Sequence, residues 1–117
     1  MYKHLVVAVD GSATSLNALQ HACSLAEMSN AKITLVHVAN PSEYMAMAPE
    51  FMHHASYEEA AVAQGNEVLD FAEKAVQEAG LSDVVKHLLV ANKGARDMAQ
   101  ELVDYADAQG AELLVLG

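Results

Sequence analysis

The sequence predicts an α/β domain of the doubly wound type, and three features of its pattern predict it. Four short apolar runs rich in Val, Ile and Leu read as strands covered on both faces. Between them lie segments whose apolar residues recur every three or four positions, the period of a helix with one buried stripe. Strand and helix alternate along the chain. Consecutive strands therefore need crossovers, and right-handed crossovers make the strands parallel in one sheet with helices on both faces.

The first strand covers residues 2–9, with Leu5, Val6, Val7, Ala8 and Val9 nearly continuous, and it ends at the turn Asp10-Gly11-Ser12. Leu16, Leu19, Cys23 and Ala26 then share one helical face as far as about Met28, and Ser12 or Thr14 is placed to cap the orphan amides of the first turn. Ile33, Thr34, Leu35, Val36, His37 and Val38 repeat the strand pattern, closed by Asn40-Pro41, where the proline ring removes a donor.

Residues 41–56 change composition, with Pro41, Pro49, Met45, Met47, Met52 and His53-His54 and no sustained period, so they predict a long, protease-sensitive loop. Residues 57–79 predict a helix with Ala61, Val68, Leu69, Ala72, Ala75 and Val76 on its apolar stripe, and Gly80 as a left-handed stop. A third strand over 84–91 leads past Lys93-Gly94 to a helix carrying Met98, Leu102, Tyr105 and Ala106, which stops at Gly110. The fourth strand runs from Glu112 to Leu116 and ends at Gly117.

Residues 1–117 make one domain: 53% of the chain is hydrophobic and 19% charged, enough apolar material for a core. A formal charge of −10 leaves no basic stripe for a phosphate backbone, so nucleic acid is not an expected partner. Cys23, the single cysteine, cannot form an internal disulfide. No apolar run is long enough for a membrane span, and the start lacks a leader pattern. A cytoplasmic protein that does not engage membranes is expected.

In a doubly wound sheet, ligands sit beyond the carboxyl ends of the strands, at the point where the strand order reverses. This draws attention to Asp10-Gly11-Ser12, Val38, the segment 91–94 and Gly117. Asp10 ends a buried strand, so its carboxylate could face a ribose hydroxyl or a metal-bound water. It could equally bond the amides of its own turn, and turn statistics favour that second role. Gly11 allows close backbone approach, but Asp-Gly-Ser has neither the spaced glycines of a dinucleotide fingerprint nor the Gly-Lys-Ser/Thr of an NTPase loop.

The six histidines are dispersed apart from His53-His54 near Glu50, which is weak ligand spacing, and His37 reads as a hydrogen-bonded structural histidine. Cys23 lies on an apolar stripe and reads as inert. No nucleophile turn or divided carboxylate pair is visible, so no catalytic or metal-binding residue is expected. The acidic excess concentrates in residues 41–80, where eight acids stand against Lys74 alone. It reads as a solvated, solubilising face before it reads as a docking face for a basic partner.

The opening strand ending in Asp10-Gly11-Ser12, the strand Ile33 to Val38, Gly94 before a helix and the closing Ala111-Glu-Leu-Leu-Val-Leu-Gly117 together resemble the universal stress protein family over the whole chain. The resemblance implies a Rossmann-like sheet of the adenine-nucleotide α-hydrolase type, with five strands in the order 3-2-1-4-5, of which four are present. It further implies a non-catalytic stress-response protein that binds ATP, alone or with Mg2+. The nucleotide would lie against Ala8, Val9, Asp10, Gly11, Ser12, Val38 and Gly117, with Asp10 at the ribose and the Val38 backbone at adenine. The family's phosphate loop opens at the glycine matching Gly117, so this chain is expected to bind ATP weakly. The alternative is the family's branch that does not bind nucleotide, working as a dimeric interaction protein. A homodimer is expected in either case, with the Leu113–Leu116 edge as its pairing surface.

Overall fold

A computed structural model describes residues 3–10, 12–40, 54–90, 95–111 and 113–116. The elements are β1 (His4–Ala8), α1 (Ala13–Ser29), β2 (Lys32–Ala39), α2 (His54–Glu78), β3 (Val84–Val90), α3 (Ala95–Ala108) and β4 (Leu113–Leu116). All strand pairs are parallel, in the order β3-β2-β1-β4. The doubly wound reading therefore holds, and β1 lies inside the sheet because it is buried on both faces and paired on both edges.

The alternation of side chains along each strand divides the core in two. On one face Leu5 and Val7 of β1, Val9 just beyond it, and Ile33 and Leu35 of β2 pack with Leu19, Cys23 and Ala26 of α1 and Leu69, Ala72 and Val76 of α2. On the other, Val6 and Val36 meet Ala106, with Leu89, Leu102, Tyr105 and Leu114 around them. The stack of Tyr105 on His87, with ring centroids 4.4 Å apart, ties α3 to β3 on this second face.

Local chemistry sets the helix limits. Asn30, at φ 55°, caps the end of α1 and donates its backbone N–H to the carbonyl of Ala26. Gly80 and Gly110 both adopt positive φ after α2 and α3, as expected of left-handed stops. One boundary moves: α2 begins at His54, so the last three residues of the expected loop are helical. The apolar stripe read from the sequence starts only at Ala61, so the helix's first turns leave no periodic signal to read. The rest of that loop, residues 41–53, lies outside the described residues. The expected solvated face of α2 also carries a specific contact: Lys86, on the edge strand β3, reaches Asp70 at 2.7 Å and Glu73 at 3.3 Å, and both carboxylates raise its pKa.

Gly65 sits in the middle of α2 where the helix crosses β2 and β3. A Cβ there would lie 2.8 Å from Cδ2 of His37 and 2.7 Å from Cδ1 of Leu88. The leucine can rotate, whereas the His37 ring is held by a hydrogen bond described below. Gly65→Ala should therefore destabilise the protein by about 1–2 kcal/mol, because overpacking outweighs the helix-propensity gain of about 1 kcal/mol. A lower urea midpoint with an unchanged slope is the expected result.

Candidate functional site

The carboxyl end of β1 is where the sheet order reverses. α1 leaves β1 on one face, while α3, on the other face, leads into β4 on the far side of β1. The connections diverge between β1 and β4, and in doubly wound sheets such divergence opens a crevice at the strand ends. Ala8 stands at its mouth, paired to Val36 on one side and Leu116 on the other.

The next residue ends the pairing of β1 with β2. The Val9 N–H donates to the carbonyl of Val36 at 2.9 Å, continuing the ladder by one bond. The Val9 carbonyl instead accepts from Nδ1 of His37 at 2.8 Å. Since a carbonyl only accepts, Nδ1 carries the proton. His37 is buried and is the hydrogen-bonded structural histidine that the sequence suggests.

This capture has a consequence for Val38. In a parallel ladder, alternate residues direct their peptide groups to the same neighbouring strand. Val36 faces β1, so Val38, two residues on, faces the same way, beyond Ala8, where the β1 register stops. On its other side β2 remains paired to β3 as far as Ala39. The Val38 peptide thus borders the crevice, with its side chain buried.

Beyond Val9 the chain folds into a compact turn. The Asp10 N–H donates to Oγ of Ser15 at 3.1 Å, the Ser12 N–H to Oδ1 of Asp10 at 2.9 Å, and the Ser15 N–H to Oγ of Ser12 at 3.1 Å. Ser12 is the N-cap of α1, with extended backbone, and its carbonyl accepts from Leu16 in the first helical bond. Asp10 therefore bonds an amide of its own turn while remaining exposed to solvent. Hydrogen bonds from the Ser12 hydroxyl and amide lower its pKa, with a smaller electrostatic contribution from His37. It is a preformed anionic acceptor at neutral pH.

The turn's other fixed point, Ser15, is almost fully buried. The sequence pattern does not single it out, since a serine three residues after the N-cap lacks the Glu or Gln of a capping box. Gly11 and Gly117 lie outside the described residues, as do Glu50 and His53. Among the described residues no group of three His, Cys, Asp or Glu side chains could hold a metal ion, and no helix is long and apolar enough to cross a membrane. Cys23 is buried and burial raises its pKa, which disfavours the reactive thiolate.

The pattern that defines the universal stress protein family matches residues 1–117. The chain belongs to the universal stress protein family. A universal stress protein of Methanocaldococcus jannaschii is 29% identical over 120 residues, a match covering 100% of this chain and 65% of that protein. One from Mycobacterium tuberculosis is 32% identical over 116 residues, covering 99% of this chain and 75% of the relative. The chain thus spans just under two thirds of the length of the first relative and three quarters of the second.

Among solved structures, a universal stress protein family member from Burkholderia pseudomallei matches with a TM-score of 0.79 and 27% identity, over 99% of this chain and 81% of that one. A universal stress protein crystallised in complex with cAMP matches with a TM-score of 0.69 and 28% identity, over 97% and 75%. The parallel four-stranded sheet of this universal stress protein is thus the arrangement its structural relatives share.

Ser12→Ala should cost about 1 kcal/mol through loss of the cap. It should also raise the Asp10 titration midpoint, which NMR of the carboxyl carbon would follow. Because the folded-state pKa of Asp10 is lowered, its stabilisation is fully present above the ordinary Asp value of about 4 and is lost as pH falls through the lowered folded value. The stability gap between the parent chain and Asp10→Asn, measured by urea titration, should therefore narrow below about pH 4.

Proposed function

We propose that this chain is a non-catalytic, cytoplasmic binding protein for adenine nucleotides, ATP among them, with the site at the crevice beside Asp10 and Val38. The observation that carries this reading is the end of the β1 ladder at Ala8 and Val36, which leaves the Val38 peptide facing the crevice. A peptide edge offers one donor and one acceptor side by side, the complement of the N1 and exocyclic amine of adenine. Asp10, exposed and ionised, suits the hydroxyl donors of a ribose. Ala8, Val9, Gly11, Ser12 and Gly117 complete the proposed wall, and a related universal stress protein, 28% identical, binds cAMP. Mg2+, if it accompanies ATP, would be held through the phosphates.

The acid has a second effect. Its charge and the chain's net −10 oppose phosphate, so base and ribose must supply most of the selectivity within the residues described here. Binding and orientation are the chemistry this arrangement supports, because no nucleophile with a partnered base stands beside the crevice among the described residues. The reading also includes a homodimer. Light scattering should give about twice the 12.5 kDa chain mass at high concentration.

AMP titrated into labelled protein should shift the amide resonances of Asp10, Ser12 and Val38, and GMP should do so at least about tenfold more weakly, since its base edge reverses the donor and acceptor pattern. Asp10→Ala should weaken AMP binding about tenfold to a hundredfold. AMP and GMP shifting the same amides equally, or AMP leaving Asp10 and Val38 unmoved, would count against the assignment.

A further inference from the structure

The sheet face that carries α1 and α2 has a groove that meets the proposed nucleotide wall at Val9 and Ser12 and runs on well past it. Both helices follow right-handed crossovers over neighbouring strands, so they run side by side in the same direction. Between them an open pocket of about 170 Å³ adjoins a second, equally open one of about 500 Å³, and together they form a groove. Leu16, Leu19 and Phe71 line both parts, and Cys23 and Ala75 extend the apolar floor. Phe71 is 65% exposed, although an aromatic ring is among the side chains that gain most from burial. Along α1 the lining runs from Ser12 to Glu27, a span of about 22 Å at the helical rise.

The far end of this groove is acidic. Glu27 and Glu78 both line it, each in the last turn of its helix, and neither last turn holds a basic residue. A helix carboxyl terminus carries the negative end of its dipole and favours a cation. Here two such termini lie together, each adding a carboxylate to the unfavourable end. Lys74, one turn earlier on α2, is the only Lys or Arg in either helix, and Lys86 is committed to Asp70 and Glu73. A second copy packed symmetrically across this groove would bring the same carboxylates and raise the repulsion.

We propose that the groove binds a cationic amphipathic helix of a partner protein, about fifteen residues long. Its apolar face would cover Leu16, Leu19 and Phe71, and its basic residues would lie against Glu27 and Glu78. The length follows from the groove's span, the apolar stripe from its floor, and the charge from the acidic end.

The test uses the full chain and a synthetic Leu/Lys peptide of about fifteen residues with helical patterning. Two control peptides are needed, one with the same composition scrambled and one with Glu in place of Lys. The patterned cationic peptide should bind at least about tenfold more tightly than either control, and Phe71→Glu should weaken it about tenfold or more. Glu27→Gln with Glu78→Gln should weaken it and flatten its salt dependence. All three positions are exposed, so the variants should keep the parent's circular dichroism and AMP response. Equal binding of the scrambled peptide, unchanged binding by Phe71→Glu, or tight binding of the Glu peptide would overturn the proposal. A peptide-free dimer that Phe71→Glu dissociates would assign the groove to a second copy instead.

Discussion

The hydrogen bond from the His37 ring to the Val9 carbonyl organises the carboxyl end of the sheet. It diverts a peptide group that would otherwise continue the ladder and releases β1 from β2 after one more bond. It also fixes the buried ring in one tautomer. The release lets the chain turn at Asp10, whose amide is received by Ser15 and whose carboxylate is held by Ser12. The turn at Asp10, the preformed anion and the end of the β1–β2 register at Ala8 and Val36 thus share one cause. Gly65 belongs to the same arrangement, since only a residue without a side chain lets α2 lie against the imidazole.

Much of this architecture is legible in the residues alone because buried parallel strands are written in a simple alphabet. Leu5 to Val9 and Ile33 to Val38 are apolar at nearly every position, which only a strand covered on both faces requires. Gly80 and Gly110 mark helix ends by the conformations they permit. The site is less legible. Asp10 could be picked out by its place after a strand, but its two roles, bonding the turn and facing solvent, coexist, and the pattern presents them as alternatives. Ser15 looks like an ordinary helical serine until its burial and its bond to the Asp10 amide are known.

The acids of α2 show the limit of periodicity in another way. A helical wheel separates apolar from polar residues without saying what the polar ones meet. Asp70 and Glu73 turn out to share Lys86 across the edge of the sheet, whereas Glu78 stands with Glu27 at the end of a groove. The same wheel leaves Phe71 without a role, since it lies off the stripe that packs against the sheet.

The register of β1 with β4 has a consequence for the order of assembly. Leu5 is opposite Leu113, so this pairing joins positions on the order of a hundred residues apart, while β1 with β2 and β2 with β3 close through single crossovers. Entropy therefore lets β1, α1, β2, α2 and β3 condense as a sequential unit, with β4 docking after the rest of the chain has been compacted. Until that docking, Val6 and Val36 lack the cover that Ala106, Leu102 and Leu114 give them on the second face, so closure of that half of the core comes with the last strand.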